Sequence, residues 1–173
     1  MLKKRSIVLS TEINDTVANI VQSLLLYYDS INNEEILLYI NSPGGSVYAG
    51  LGIYDTMQFL SSDVRTHCGG MAASMSAVLL MAGKEGKRSV DPNSRIMIHQ
   101  PKGKMTDSGV NVEIKEQEIL KLKKEIYTII SNHCHQPFDK VWQDCDSDFW
   151  MNAEEAQKYG CIDEIRNISL LDK

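Results

Sequence analysis

The strongest constraint in this 173-residue chain is a stretch of small residues that runs into an apolar segment, Cys68–Gly83. Two glycines near its start allow the backbone to turn tightly and to approach neighbouring segments closely. The apolar residues that follow stop at Gly83, and a glycine commonly ends a helix. The pattern predicts a tight turn and then a buried helix, with Ser74 near the start of that helix.

A serine at this position has two ordinary uses. Its hydroxyl can cap the helix by accepting a hydrogen bond from a free backbone N–H group. It can also act as a nucleophile, because free N–H groups and the helix dipole stabilise negative charge that develops nearby. A lone serine caps a helix far more often than it attacks a substrate, so the choice depends on the rest of the chain.

Apolar runs alternate with helical patterns along the sequence. The continuous run 36–40 is typical of a strand in a sheet that is covered on both faces. A helix capped at Asp15–Thr16 is predicted by five apolar residues at helical spacing: Val17, Ile20, Val21, Leu24 and Tyr28. The alternation predicts an α/β fold with a largely parallel core sheet, and the length suits a single domain, 1–173.

Two helices are predicted in the second half of the chain. The stretch 112–133 carries more apolar residues than a free helix hides, so it packs on the core or on another subunit. A shorter helix begins at Asn152, where Asn152 and Glu155 have the spacing of a capping box, and it ends at Gly160.

Composition excludes several classes of protein. The net charge of −5 and the absence of a basic stripe argue against nucleic-acid binding. No apolar run is long enough for a signal peptide or a membrane span. The four cysteines form no Cys-x-x-Cys pair, which predicts reduced thiols and a cytoplasmic protein.

Several residues are candidates for chemistry. Peptide hydrolysis needs a nucleophile, a base and a group that orients the base, so His99 at the end of a strand is of interest beside Ser74. Taken alone, however, His99 is more often a hydrogen-bonded core histidine. An acidic loop offers three carboxylates, and spacing does not choose among them: Asp144, Asp146 and Asp148.

Two other groups deserve less weight. Cys68 is a nucleophile in principle, but no base stands near it in the sequence. The run 133–135, His-Cys-His, offers metal ligands, but no second cluster completes a tetrahedral site, so a polar helix end is the simpler interpretation. We therefore expect no metal and no cofactor.

Four segments, in this order, resemble the proteolytic subunits of the Clp protease (ClpP). The first is Ile40-Asn41-Ser42-Pro43-Gly44-Gly45-Ser46, and the second surrounds Ser74. The third is Asn93-Ser94-Arg95-Ile96-Met97-Ile98-His99-Gln100-Pro101, and the fourth is the tail 144–156. The resemblance extends over nearly the whole chain, and the combination is far more specific than any single segment.

The resemblance implies a serine endopeptidase with the crotonase-like fold of that family, built from repeated β-β-α units with a projecting strand-helix handle at about 101–133. It implies a triad of Ser74, His99 and Asp148, with Gly45 and Met75 donating backbone N–H groups to the oxyanion. It also implies two stacked heptameric rings, a tetradecamer, and an AAA+ unfoldase partner that uses ATP and delivers unfolded proteins. Short peptides are the other implied substrates.

This chain departs from the family pattern at several places. Its first residues, 1–5, match the region that follows the family's N-terminal segment, which lines the axial entrance, so we expect weak coupling to an unfoldase. Residues 102–107 replace a glycine-rich segment implied in substrate pairing and ring contacts. Ser147 stands where an arginine is common, and Ser76 stands where the family has another small residue.

Two alternatives of other classes remain. The crotonase superfamily includes acyl-CoA enzymes that share a glycine oxyanion turn, but those do not need a Ser–His–Asp set, and no separate acid or base stands near Ser74. A ring subunit without activity of its own would be marked by loss of a triad residue, and none is lost.

Overall fold

The structure is a computed structural model that describes residues 5–101 and 110–166, with side chains from residue 116 onwards in the second range. Strands and helices alternate through most of this part of the chain. In order they are β1 Ser6–Leu9, α1 Asp15–Ile31, β2 Ile36–Ser42, α2 Val47–Phe59, β3 Val64–Ala73, α3 Met75–Met81, β4 Arg88–Val90, β5 Arg95–Ile98, α4 Val110–Cys134, α5 Phe138–Asp144, β6 Phe149–Met151, α6 Ala153–Tyr159 and β7 Glu164–Ile165.

The strands form one largely parallel sheet in the order β1-β2-β3-β4-β7. The long strand β3 pairs with β4 along its first half, where Thr66 lies opposite Arg88, and with β5 along its second half, where Ala72 lies opposite Ile96. The sheet therefore forks at β3. Strand β6 is antiparallel to β5 and closes the second branch. The predicted α/β fold with a largely parallel core sheet is confirmed.

The core lies between this sheet and the helices, and β2 is buried on both of its faces. In β2 the side chains of Ile36, Leu38 and Ile40 are fully buried, and Leu37 on the opposite face is nearly so. Helix α3 lies at the centre, in contact with β3, β5, α2 and α4, which explains why all seven of its residues are buried.

Two details of α1 differ from the prediction. The N-cap is Asn14, whose side chain accepts a hydrogen bond from the N–H of Val17, rather than Asp15–Thr16. Ile20 is 55% exposed, because the buried face of the helix passes through the small residue Ala18 instead. Val21 and Tyr28 of the predicted stripe are buried, and two others are half-buried against the core: Val17 and Leu24.

The second half of the chain agrees with its predicted helices. Helix α4 spans Val110–Cys134, slightly longer than the predicted 112–133, and its later turns pack into the core through Ile126 and Ile130. The capping box of α6 is present in both directions between Asn152 and Glu155, and Gly160 ends the helix in a left-handed conformation. The departures at 102–107, including the strand of the predicted handle, lie outside the described residues, as do residues 1–4.

Candidate active site

Ser74 lies at the junction between β3 and α3, in a backbone conformation that a serine rarely adopts. Its φ of 57° and ψ of −128° belong to a sharp strand-to-helix turn. Such strain costs about 1–3 kcal/mol and accumulates at functional positions. The Gly-x-Ser-x-Gly motif of the α/β-hydrolases is absent, yet the turn has the strained geometry that motif supports. Ser74 stands at the N-cap position, but its hydroxyl makes no capping bond.

The register of the second sheet branch brings two further predicted residues to Ser74. The N–H of Ser74 donates to the carbonyl of Met97 in β5, so the residue after β5, His99, lies beside the serine. Its Nε2 lies 2.8 Å from Ser74 Oγ, and its Nδ1 lies 2.9 Å from Asp148 Oδ1. Asp148 reaches this place because it directly precedes β6, where Phe149 lies opposite Ile98.

The three acidic residues of the loop have different surroundings. Asp144 accepts hydrogen bonds from Lys140 Nζ at 2.6 Å and from the hydroxyl of Tyr159 at 2.8 Å, which makes it structural. Asp146 offers its backbone carbonyl to Gln100 Nε2 at 3.0 Å. Only Asp148 has its carboxylate on the imidazole. The geometry therefore makes the choice that the spacing left open.

The loop after β2 lies against the serine turn, at Gly44. Ile13 forms a parallel bridge with the loop after β2 through the carbonyl of Gly44 and the N–H of Ser46, which leaves the N–H of Gly45 outside the bridge. The N–H of Met75 follows Ser74 directly. A side chain at Gly44 would place its Cβ 2.5 Å from the carbonyl oxygen of Ala73, so glycine is required where the loop and the turn meet.

A shallow apolar cleft opens beside the serine and the imidazole. Its walls are mostly aliphatic side chains from α2, α3, β5 and α4, and Ser74 and His99 lie at its edge. The aliphatic members are Val47, Val78, Ile98, Ile126 and Ile130, with Met75 and Pro101 beside them. A cleft of this composition accepts an apolar side chain and rejects a charged one.

The competing candidates do not form sites. Burial raises the pKa of the Cys68 thiol to about 12, and its side chain is fully enclosed, so it is neither accessible nor ionised near neutral pH. His133 shares a hydrogen bond with Tyr54, and the side chain of His135 pairs with Glu85. The two histidines of the 133–135 run therefore contact different partners. Among the residues that the structure describes, no group of three or more potential ligands is arranged to hold a metal.

Two features of this site have only weak signals in the sequence. The strained backbone of Ser74 carries no motif, and the only available signal was the run of small residues before it. Gly44 packs against the serine turn, whereas the sequence pattern singles out only Gly45. The signal for Gly44 is the pair of adjacent glycines after a strand, which indicates that both positions are sterically crowded.

Known proteins are similar to this chain over most of its length. A sequence model described as Clp protease matches residues 1–169. The ATP-dependent Clp protease proteolytic subunit of Bacteroides thetaiotaomicron is 60% identical over 166 residues, which cover 95% of this chain and 76% of the relative. The protein of the same name from Porphyromonas gingivalis is 54% identical over 166 residues, covering 95% and 75%. Subunit 1 from Salinibacter ruber is 44% identical over 173 residues, covering 99% and 74%.

Proposed function

The chain belongs to the Clp protease family, whose members are serine peptidases, and on that premise we propose that Ser74, His99 and Asp148 are its catalytic triad. The observation that carries the proposal is the continuous chain of hydrogen bonds from the serine hydroxyl through the imidazole to the carboxylate, at 2.8 and 2.9 Å. A base within hydrogen-bond reach of a nucleophile, itself held by an acid, is the arrangement that acyl transfer requires.

The reaction follows from these contacts. His99 Nε2 accepts the proton of Ser74 Oγ as the oxygen attacks the peptide carbonyl, and Asp148 stabilises the imidazolium that forms. The N–H groups of Gly45 and Met75 donate to the oxyanion. The imidazolium then protonates the leaving amine, and a water molecule, deprotonated by His99, hydrolyses the acyl-enzyme ester. Besides the substrate and water, each step uses only groups of the protein, so we propose that the chain needs no metal or cofactor.

The apolar cleft supports a preference at the residue before the scissile bond. Fluorogenic peptides with leucine or methionine at that position are expected to be hydrolysed at least about tenfold faster than otherwise identical peptides with aspartate or lysine, because a charged group loses its hydration on entering the cleft. The values of kcat/KM for the matched set measure this preference. Equal values of kcat/KM across the set would show that the cleft does not bind the side chain before the scissile bond.

The identity of the acid is tested by a matched pair in one loop. Asp148→Asn is expected to lower kcat by about 10²–10⁴-fold, because the imidazole loses its orienting carboxylate. Asp146→Asn changes the neighbouring carboxylate and leaves the backbone carbonyl that binds Gln100, so its kcat is expected to stay within about twofold. An Asp146 variant that loses activity while the Asp148 variant keeps it would reverse the proposed roles.

Assembly is the second part of the proposal. The relatives are named as subunits of an ATP-dependent protease, and we propose that this chain forms stacked heptameric rings that receive unfolded chains from an AAA+ unfoldase, which uses the ATP. Large apolar side chains on its surface support a subunit interface: Ile20, Tyr27, Ile31, Tyr48, Phe59 and Leu120. Phe59 is 80% exposed, which a monomer in water does not favour.

Native mass spectrometry of the purified chain is expected to show species of seven or fourteen subunits, with peptidase activity in the same size fractions. A monomer at micromolar concentration would contradict the ring. An inactive fourteen-subunit species would support assembly and would indicate that the assembled rings have an inactive conformation.

In the described residues, none of the helices combines the length and apolar character needed to cross a bilayer. We propose a cytoplasmic location, which fits four free buried cysteines and an unfoldase that depends on ATP.

A further inference from the structure

Ser76 in the first turn of α3 has a fully buried hydroxyl that the proposed reaction does not use. The hydroxyl oxygen lies 2.9 Å from the N–H of Ala73, 2.8 Å from the carbonyl oxygen of Ala73 and 2.6 Å from the carbonyl oxygen of Ser42. A hydroxyl has one proton, so it accepts from the N–H of Ala73 and donates to a carbonyl, of which that of Ser42 is the nearer. Ser76 therefore joins two backbone segments.

The two segments are those that present the proposed oxyanion donors. Ala73 directly precedes the serine turn, whose donor is the N–H of Met75. Ser42 begins the loop that leads to Gly45, and its own side chain holds that loop, donating to the carbonyl of Thr11 at 2.6 Å and accepting from the N–H of Gly44 at 3.1 Å. The hydroxyl of Ser76 is thus the side-chain link between one donor segment and the other.

The regular sheet does not fix this spacing. Strands β2 and β3 are in register up to the pair of Ile40 with Cys68, but the next pair is Ser42 with Ala72. Two residues of β2 therefore span the same distance as four residues of β3, and the ladder of backbone hydrogen bonds is interrupted beside the site. At such a break the distance between the strands depends on side-chain contacts, and Ser76 supplies the shortest of those recorded there.

We propose that Ser76 is a positioning residue that sets the distance between the oxyanion donors of Gly45 and Met75. The inference rests on the proposed function, because it presumes that these N–H groups stabilise the oxyanion. Removal of the hydroxyl leaves the Ser42 carbonyl and the Ala73 N–H buried without this partner, and we expect the loop and the turn to shift relative to one another. Donors misplaced by a fraction of an ångström stabilise the transition state less while substrate binding in the apolar cleft is preserved.

Ser76→Ala is expected to lower kcat about tenfold with KM within about twofold, a smaller loss than the hundredfold or more that follows removal of an oxyanion donor. A peptide boronate, which forms a tetrahedral adduct with the serine oxygen, is expected to bind about tenfold more weakly for the same reason. The unmodified chain and the variant are compared at equal native mass, so that assembly does not contribute to the difference.

Ser94→Ala is the matched control. Ser94 is also fully buried, and its hydroxyl also joins two backbone groups, accepting from the N–H of Gly70 and donating to the carbonyl of Cys68, both at 3.0 Å. Ser94→Ala is expected to lower thermal stability by about as much as Ser76→Ala does. Its kcat and its affinity for the boronate are expected to stay within about twofold of those of the unmodified chain. If Ser94→Ala lost as much kcat as Ser76→Ala, general destabilisation would explain the loss in both variants, and the proposal would be overturned.

An unchanged kcat in Ser76→Ala would also overturn it. If the alanine variant fails to assemble, Ser76→Cys decides. The larger sulfur makes longer and weaker hydrogen bonds than the hydroxyl, so it changes the spacing of the two segments: an intermediate loss of kcat supports the positioning role, and unchanged kcat rejects it. A separate experiment tests the proposed function: full activity in a Ser74→Ala variant would contradict the proposed triad, whatever the result for Ser76.

Discussion

Replacing Ser74 with alanine is expected to lower peptide hydrolysis by about 10⁴-fold or more, because the reaction then has no nucleophile for His99 to activate. The variant keeps the fold. An alanine places no atom where the hydroxyl was, and the hydroxyl makes no capping bond that α3 would lose. Hydrolysis of a fluorogenic peptide with leucine before the cleaved bond measures the loss, and native mass shows that the assembly is unchanged.

Covalent labelling gives an independent measurement of the same residue. A fluorophosphonate is attacked at phosphorus by the serine oxygen and releases fluoride, so peptide mapping is expected to find the adduct on Ser74 and on no other serine. Cys68→Ala is the control, since its buried thiol has a pKa of about 12. Both labelling and hydrolysis are expected to stay near normal in that variant. Full activity in Ser74→Ala, or none in Cys68→Ala, would contradict the proposed nucleophile.

Replacing Arg88 with methionine is expected to destabilise the folded protein by about 3–5 kcal/mol, the cost of leaving one member of a buried ion pair alone. The Arg88 side chain is 4% exposed and binds Asp163 through two nitrogens, at 2.6 and 3.0 Å. A third nitrogen donates to the carbonyl of His133 at 2.8 Å. The guanidinium therefore joins β4, the end of α4 and the segment before β7.

The contribution of this pair depends on pH. Burial by itself raises the pKa of the Asp163 carboxyl, but hydrogen bonds from Arg88 outweigh burial and hold the pKa below its usual value. A carboxyl whose pKa is lowered by folding stabilises the folded state fully above its unfolded pKa, about 4, and this stabilisation is lost as the pH falls through the folded pKa. The difference in unfolding free energy between the parent and Arg88→Met is thus expected to narrow below about pH 4.

Urea unfolding at equal protein concentration measures this difference at neutral and acid pH. Arg65→Met is the control: Arg65 pairs with Glu35 at 3.3 Å, but both side chains are partly exposed, at 26% and 35%, and Glu35 keeps Lys87 as a second partner. Its loss is expected to cost about 1 kcal/mol or less. Equal losses in the two variants, or a difference that widens in acid, would show that the Arg88–Asp163 pair does not behave as described.

Local patterns in the sequence predicted much of the architecture because they depend on neighbours in the chain. The capping box of Asn152 with Glu155 spans three residues, and both of its hydrogen bonds form within one turn. The strands and helices before residue 100 follow apolar periodicity in the same way. The cap of α1 was wrong by one residue, since Asn14 and Asp15 are equally suitable and only the direction of the incoming chain decides between them.

The candidate site depended on contacts that a sequence pattern does not contain. His99 contacts Asp148 rather than Asp144 because β6 pairs antiparallel with β5. Asp144 instead bonds Lys140, one turn earlier in α5, and Tyr159 of α6. The family resemblance selected Asp148 without giving this reason. The hydroxyl of Ser76 bonds the carbonyl of Ser42, 34 positions earlier in the chain, so neither periodicity nor spacing indicated it.

The fork of the sheet at β3 has a consequence for the newly made chain. His99 is 25 residues from Ser74 and 49 from Asp148, and the serine obtains its base only when β5 has paired along the second half of β3. A slip of one residue in that pairing turns every side chain of β5 to the opposite face, taking the imidazole away. We therefore expect peptidase activity to appear only in chains in which β5 has paired correctly with β3.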